Sequence, residues 1–451
     1  MMIVLWSLGA FIVTLGILVT FHEFGHFWVA RRCGVKVLTF SVGFGRPIWQ
    51  RRAADGTLYQ IGMIPLGGYV RMLDDRVDEV PAELASQSFN AKSVAQRAAI
   101  VAAGPIANFI LAIIVLWLMF LIGVPSVRPI IGNVAPDSIA AKAGVQSPAE
   151  IIAVNNRPTP DWQQVNLHFA AALGQDTVTL TTRDEQHREQ LYQLDIRRWQ
   201  LDNNQQPTFI TLGLYPFQPE ISHIISYVAE NSPAAQAGLQ INDKILAING
   251  TPATDWPQTR ELIMQSPGQE VVVTILRDQQ QLELPAIIGS RVVGEQLIGF
   301  LGVEPTIAPY PEAYRFTQQY GIVDGLVKGA ERTWELMVLS VKMLGKLLTG
   351  TVSISNLSGP VAIAEGAGAT ASYGLVYFLG FLALISVNLG IINLVPLPIL
   401  DGGHLAFLAV EGVRGKPVSE RVQEICYRIG GILIFALMAI AISNDVLRLS
   451  Q

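Results

Sequence analysis

The stretch "TFHEFGHFWVARR", residues 20–32, places a chemical motif at the end of an apolar segment. It contains His-Glu-x-x-His, a pattern typical of metal sites that activate water. The motif follows about 19 residues without a charge, close to the length that a helix needs to cross a bilayer. The sequence therefore combines a pattern for hydrolysis with a predicted membrane helix.

The composition is that of a membrane protein. Of the 451 residues, 50% are hydrophobic and only 15% are charged, whereas about 25% of residues are charged in an average soluble protein. The net charge is −5 and the basic residues form no stripe, so we exclude nucleic acid as a partner. Cys33 and Cys426 are too few for a disulfide framework or a thiolate metal site, and we expect free thiols.

Four apolar stretches predict an α-helical polytopic membrane protein with transmembrane helices at 1–30, 98–124, 373–400 and 429–447. The first is not typical of a signal peptide, because its positive charges, Arg31, Arg32 and Lys36, follow the apolar run rather than precede it. Lys and Arg are enriched in the loops 31–97 and 401–428, which places both loops in the cytoplasm.

The region between the second and third helices contains an internal repeat. "APDSIAAKAGVQSPAEIIAVNNRPTPDW" (135–162) aligns without gaps with "AENSPAAQAGLQINDKILAINGTPATDW" (229–256). We predict two inserted β-rich domains, 128–217 and 218–306, on the side opposite the cytoplasm. The second resembles a PDZ domain through "AGLQINDKILAING". The first is PDZ-like but resembles it less, since "SPAE" stands where the second has "INDK".

Residues 307–370 form a predicted periplasmic amphipathic helical region. In "WELMVLSVKMLGKLLTG" (334–350), apolar residues recur at helical spacing and Lys342 and Lys346 lie on another face. This pattern indicates a helix lying on a membrane surface or on a neighbouring domain. A fifth span is the alternative, but it would orient the last two helices against their flanking charges.

His22 and His26 are one turn apart on a helix, so both imidazoles can reach one ion. Glu23 stays near that ion without having to ligate it. Zinc suits imidazole ligands, and it lowers the pKa of bound water to about 7, so that a nearby carboxylate can take the proton. The alternative is a structural cluster at a helix end, which is disfavoured because each such group costs roughly 2.5–3.5 kcal/mol at membrane depth.

A catalytic zinc needs a third protein ligand and one open position. Three of the six histidines fall in the repeat region, so the third ligand is either His404 or a carboxylate at the end of another span. "NLGIINLVPLPILDGGH" (388–404) closes the third span with two prolines that break the helix, and Asp401 follows. We predict Asp401 as the third ligand and His404 as the alternative. The non-functional explanation for Asp401 is that it is only a turn residue in Asp-Gly-Gly.

Several motifs together resemble the site-2 protease family of intramembrane metalloproteases. They are "HEFGH", "GPIANF" (104–109), "NLVPLPILDGGH" and "SNLSGPVAIA" (355–364), with the tandem PDZ-like domains, and they cover essentially the whole chain. The resemblance implies one zinc ion per chain held by His22, His26 and Asp401, with Glu23 activating water. It also implies that Asn388 and Asn393 contribute to substrate binding, whereas helix–helix hydrogen bonding is the alternative for each.

The resemblance further implies a zinc metalloendopeptidase of the bacterial inner membrane. Its substrates would be single-pass membrane proteins that a first cut has trimmed, such as an anti-sigma factor in an envelope stress response, and remnant signal peptides. The PDZ-like domains would be periplasmic and the site near the cytoplasmic side. They would act as a filter for trimmed substrates or as a receptor for a new C-terminus. The competing function is a membrane scaffold whose PDZ-like pair binds partners.

"YQIGMIPLGGYVRM" (59–72) alternates in polarity and resembles the membrane-dipping β-hairpin of that family. An edge strand in this hairpin can pair with an unwound substrate, which makes Ile61, Gly67 and Gly68 candidate substrate-binding residues. On this interpretation a proline at Ile61 abolishes cleavage and leaves zinc bound. The alternative is an ordinary cytoplasmic hairpin.

Overall fold

The computed structural model describes residues 2–76, 80–199, 207–293, 296–349 and 359–449. The chain divides into two units, one formed by Met1–Val124 with Gln318–Gln451 and the other by Pro125–Thr317.

Helices and strands are numbered along the chain. The helices are α1 (Met2–Arg32), α2 (Val94–Ile122), α3 (Ile139–Lys142), α4 (Trp162–Ala171), α5 (Thr208–Thr211), α6 (Pro233–Gln236), α7 (Trp256–Met264), α8 (Ile322–Leu348), α9 (Pro360–Tyr373), α10 (Leu375–Leu394), α11 (Asp401–Arg414) and α12 (Glu420–Leu449). The strands are β1 (Val37–Arg52), β2 (Leu58–Met72), β3 (Val124–Val127), β4 (Ile130–Val134), β5 (Ala149–Val154), β6 (Arg157–Pro158), β7 (Thr177–Arg183), β8 (Glu189–Asp195), β9 (Leu214–Pro216), β10 (Ile221–Val228), β11 (Lys244–Ile248), β12 (Thr251–Pro252), β13 (Glu270–Arg277), β14 (Gln280–Ile287), β15 (Gly289–Val293), β16 (Gln296–Phe300), β17 (Val303–Ile307) and β18 (Arg315–Gln318).

Four helices of the first unit are long and apolar enough to cross a membrane, as the sequence predicts. They cover Val4–Arg32, Val94–Ile122, Leu375–Leu394 and Glu420–Val446. The second of these, α2, begins at a capping box in which Ser93 and Gln96 satisfy each other's backbone N–H groups. It then forms the centre of the unit, where Leu111, Ala112 and Val115 are buried against α10 and α8.

The amphipathic helix α8 lies within the predicted helical region 307–370 and extends beyond the quoted segment. It begins at Ile322, and it packs against α2 and α10. A Cβ on Gly329 would lie 3.0 Å from the Ile113 carbonyl oxygen, so glycine lets α8 and α2 approach closely. Ser340 of α8 donates a 2.6 Å hydrogen bond to Oδ1 of Asn388 in α10. This contact is the helix–helix hydrogen bond that we gave as the alternative role of Asn388.

The third span is shorter than predicted. Helix α10 ends at Leu394, six residues before the predicted end, because a residue that precedes proline is driven out of the helical conformation, and Val395 precedes Pro396. The chain turns through 395–400 and α11 begins at Asp401. A Cβ on Gly402 would lie 2.3 Å from the Leu394 carbonyl oxygen, so glycine is needed to seat α11 against the turn. The predicted loop 401–428 is therefore largely helical.

The β-hairpin is also larger than predicted. Residues 59–72 belong to one strand, β2, which pairs with β1, and the connection between the two strands runs through 53–57. The long strands bend, so that Val42 pairs with both Ile61 and Gly68. Ile61 also pairs with Trp49 and is therefore an internal strand residue. The choice of Ile61 as an edge residue was wrong, and a proline there would break the sheet itself.

The second unit contains two sheets with the same strand order. One runs β8-β7-β5-β4-β9 with β6 on β5, and the other runs β14-β13-β11-β10-β17 with β12 on β11. Equivalent turns contain Asn155 and Asn249, both at positive φ, and Asp161 and Asp255 cap α4 and α7 in the same way. The aligned segments of the sequence therefore occupy equivalent places in two sheets.

Asp445 anchors the last helix. It is only 1% exposed, and its carboxylate accepts hydrogen bonds from the backbone N–H groups of Gly359, Val361 and Ala362 at the start of α9. Since these donors lose their partner, we expect Asp445→Ala to cost about 1–3 kcal/mol. The measurement is the unfolding temperature of the purified protein. The exposed Asp324→Ala is the control, and equal unfolding temperatures for the two variants would contradict the anchor.

Candidate metal centre

Three side chains from two helices that are far apart in the sequence, α1 and α11, converge on one point. Nε2 of His22 and Nε2 of His26 lie 3.3 Å apart. Oδ2 of Asp401, at the start of α11, lies 3.3 Å from the first nitrogen and 3.4 Å from the second. Tetrahedral zinc with ligands at about 2.0–2.1 Å requires separations of about 3.3–3.4 Å between ligand atoms. The triangle therefore has the dimensions of three corners of a zinc site.

The surroundings of Asp401 also suit a cation. Its Oδ2 is buried and has no hydrogen-bond partner among the described residues. A buried carboxylate oxygen without a donor is costly, and the two imidazole nitrogens beside it can serve as metal ligands when they are unprotonated. A divalent cation satisfies all three atoms together.

Helix α2 orients both imidazoles. Nδ1 of His26 lies 2.8 Å from the Ile100 carbonyl oxygen, to which it can donate while its Nε2 stays free for a metal. The Asn108 amide nitrogen lies 3.1 Å from Nδ1 of His22, and Oδ1 of this fully buried residue has no partner among the described residues. Rotating the amide by about 180° would bring Oδ1 to the same place, where it accepts a hydrogen bond from Nδ1–H.

Gly104 makes room for the histidines. A Cβ at this position of α2 would lie 2.2 Å from Nε2 of His26 and 2.8 Å from Cε1 of His22. Any larger residue must displace the ligands. Sequence reasoning did not assign roles to Gly104 or Asn108. Both lie in "GPIANF", and their spacing of four residues on one helical face was the available signal.

Glu23 faces the same cavity of about 410 Å³, which His22, His26 and Asp401 also line. The backbone of Val70 also lies close to its carboxylate. A Cβ on Gly68 would lie 2.9 Å from Cγ of Glu23, so glycine lets β2 run directly beside the glutamate. The carboxylate of Glu23, the candidate cation site and the edge of β2 therefore lie together at one cavity.

The other predicted residues lie elsewhere. His404 lines the cavity, but it is exposed, its Nδ1 is 3.4 Å from the Tyr427 hydroxyl, and it is outside the metal-ligand cluster of the described residues. Asn388 and Asn393 are not among the described residues that line the cavity. Ile61 is also outside it, and Gly67 packs beneath the ring of Phe44.

An ion pair holds the helix that carries Asp401. Arg97 of α2 makes a two-pronged contact with Glu411 of α11, at 2.6 Å and 3.2 Å, and both side chains are mostly buried. Such paired geometry is the stronger form of an ion pair. It fixes α11 against the same helix that orients the histidines.

Comparisons with known proteins agree with this site. The profile of the family described as "Peptidase family M50" matches residues 10–437. The chain is 50% identical over 448 residues to "Regulator of sigma-E protease RseP" of Escherichia coli (strain K12), with 99% of each chain covered. It is 51% identical over 451 residues to "Protease RseP" of Yersinia pestis, with 100% of each covered. It is 47% identical over 446 residues to "Regulator of sigma E protease" of Haemophilus influenzae, with 99% of each covered.

Replacing Gly104 with alanine tests the packing around the site. Since the new Cβ displaces His26, we expect zinc to be lost to a chelator at about 10- to 100-fold lower chelator concentration. The measurement is zinc content after chelator titration. Gly380→Ala is the control, because its Cβ would meet only Met119 Sδ at 3.5 Å. Identical titration curves for the parent and Gly104→Ala would contradict the packing argument.

Proposed function

We propose a substrate class, residue roles and an orientation for this chain, which belongs to peptidase family M50, the site-2 protease family, and is a zinc metalloprotease of the membrane. Its substrates are transmembrane segments of single-pass proteins, whose peptide bonds it hydrolyses after a first cleavage. The observation that carries the proposal is the triangle of His22, His26 and Asp401 in a unit with four candidate membrane helices.

His22, His26 and Asp401 hold one zinc ion in this proposal. Zinc, when bound, makes water nucleophilic near neutral pH and polarises the carbonyl of the scissile bond. Glu23 takes the proton from the attacking water and returns it to the nitrogen of the leaving group. Its place in the cavity beside the two histidines and outside the ligand triangle supports this role.

A substrate helix exposes its peptide bonds only after it unwinds, and the unwound backbone then needs hydrogen-bond partners. The segment Gly68–Val70 of β2 pairs with β1 on one side and lies beside Glu23 on the other. An extended substrate can add to this edge as a further strand. Asn388 and Asn393 hydrogen-bond the substrate in this proposal, and Asn388 must first exchange its bond with Ser340.

The physiological substrate is an anti-sigma factor, trimmed first on its outer side, whose cleavage starts an envelope stress response. The support is that related proteins of Escherichia coli and Haemophilus influenzae are named "Regulator of sigma-E protease RseP" and "Regulator of sigma E protease". Remnant signal peptides are a further substrate. The chain is an inner-membrane protein, and the Lys- and Arg-rich segments orient it with the site near the cytoplasm and the second unit in the periplasm.

Glu23→Gln tests the hydrolytic mechanism. Because the amide cannot take a proton from water, we expect cleavage of a trimmed single-pass substrate to fall by about 10²- to 10⁴-fold. Zinc content should stay at the parental value, since Glu23 is not a ligand. Glu83→Gln, at an exposed position, is the control. Cleavage at the parental rate in Glu23→Gln would contradict the mechanism.

Deleting residues 128–305 tests the role of the two β-rich domains. We propose that they are PDZ-like and exclude substrates that still have an outer domain, because they are inserted between two spans of the enzyme. The shortened protein should therefore cut untrimmed substrate, which the parent leaves intact, while it cuts trimmed substrate at a comparable rate. Both rates are measured in detergent on purified protein. Loss of cleavage of the trimmed substrate would show that the domains are a required receptor instead.

A further inference from the structure

A second cavity, of about 490 Å³, lies on the sheet of β1 and β2. Its apolar wall is one face of this sheet, because Val42 pairs with Ile61 and Ile61 pairs with Trp49, and paired residues point to the same side. Trp49 and Ile61 are 49% and 47% exposed, so this wall is open to the surroundings.

The polar end of this cavity is formed by the same face. Tyr59 pairs with Phe40 on one side and with Arg51 on the other, so these three side chains also project together. Phe40 and Tyr59 pack against Phe27 of α1, with ring centroids 5.4 Å and 5.9 Å away. Arg51 lies on the outer strand and projects with Tyr59, whereas Arg52, the last residue of β1, pairs with Leu58 and lines the cavity from the end of the strand.

Contacts with α1 indicate how deep in the membrane the cavity lies. Arg31, at the charged end of the first span, makes a 2.7 Å ion pair with Asp55 in the connection that follows Arg52. At the other end, a Cβ on Gly68, the partner of Val42, would lie 2.7 Å from the side chain of Val19. Val19 and Arg31 are twelve positions apart on α1, about 18 Å along the axis. The cavity therefore runs from the charged boundary into the hydrocarbon region.

The charges at the polar end are unbalanced. Among the described residues, Arg51 and Arg52 have no carboxylate within ion-pair distance, and Arg31 occupies the nearby Asp55. None of the described residues that line the cavity is acidic. An anionic headgroup would therefore be favoured over a zwitterionic one, whose cation would find no acidic partner here.

We propose that this groove binds one anionic phospholipid. The phosphate lies at Arg51, because a guanidinium group matches phosphate oxygens in geometry and charge, and Arg52 at the end of the strand adds a second positive charge beside it. The acyl chain lies along Val42, Trp49 and Ile61. Tyr59 and Trp49, with apolar rings and polar ends, suit the boundary between headgroup and chain.

The lipid groove is separate from the catalytic cavity. The strand segment beside Glu23 and the segment that carries Trp49 and Arg51 are opposite edges of the sheet, with residues 39–42 and 58–61 between them. Three strand spacings amount to about 14 Å. A lipid in the groove therefore stabilises the edge of the sheet that carries Trp49 and Arg51. The opposite edge, beside Glu23, stays accessible to the substrate.

The test uses the full-length protein in nanodiscs of phosphatidylcholine, with and without phosphatidylglycerol. Native mass spectrometry counts the lipids that the protein retains after mild delipidation. We expect one retained phosphatidylglycerol in the parent and an affinity for this lipid that is at least about tenfold lower in Arg51→Gln/Arg52→Gln, as for loss of a 1.4 kcal/mol contact. Arg414→Gln/Arg421→Gln removes the same charge from exposed positions of α11 and α12 and should retain the lipid. Zinc content is measured for every variant to show that each is folded.

A second readout locates the acyl chain. Phosphatidylglycerol brominated on its chain should quench tryptophan fluorescence more strongly in the parent than in Trp49→Phe, whereas brominated phosphatidylcholine should give the same quenching in both. Equal lipid retention by the Arg51/Arg52 variant and the control would overturn the proposal. So would displacement of the lipid by inorganic phosphate alone. The third contradicting result concerns cleavage by the Arg51/Arg52 variant. If cleavage is lost to the same extent with and without phosphatidylglycerol, the groove binds a peptide and the lipid proposal is overturned.

Discussion

The approach of the Asp401 carboxylate to His22 and His26 is the contact on which the membrane unit depends. It joins the first helix of the chain to a helix that begins only after the third span. Most of the nearby features serve this contact. Gly104 gives the imidazoles room, Gly402 seats the start of α11, and the ion pair of Arg97 with Glu411 fixes the rest of that helix. Three acceptor atoms this close repel one another unless a cation or a proton lies between them, and a bound metal ion would stabilise this contact.

Polar side chains act elsewhere in this unit as positional links between helices. In a lipid environment apolar packing alone discriminates poorly between helix registers, because lipid tails are as apolar as leucine. Ser340 with Asn388 sets α8 against α10, and Asp445 sets α12 against α9. Each link satisfies a group that would be costly if it were left alone in the hydrocarbon. The same holds for Asn108, whose side-chain amide contacts His22, a ligand of the proposed zinc.

The sequence predicts the parts of this structure that follow from local patterns. The four spans follow from hydropathy, and the pairing of His22 with His26 follows from helical spacing. Asp401 is predicted from charge and topology, since it is a carboxylate at the end of another span that lies on the same side of the membrane as His22 and His26. The surroundings of Gly104 and the internal position of Ile61 depend on which elements pack together, and no pattern within one segment specifies that. The end of α10 was predicted too late because the apolar run continues beyond the prolines. The amphipathic pattern of α8 indicated only a membrane surface or a neighbouring domain, and its packing against α2 and α10 depends on apolar faces of other helices.

The most direct test of the metal centre is zinc analysis with X-ray absorption at the zinc edge, on the purified parent and on Asp401→Ala and His404→Ala. We expect one zinc per chain with two imidazole ligands and light oxygen ligands at about 2.0–2.2 Å. Asp401→Ala should lose the metal, and His404→Ala should keep both the metal and the parental spectrum. A spectrum with three imidazoles, or zinc that survives the loss of Asp401 and not that of His404, would contradict this expectation.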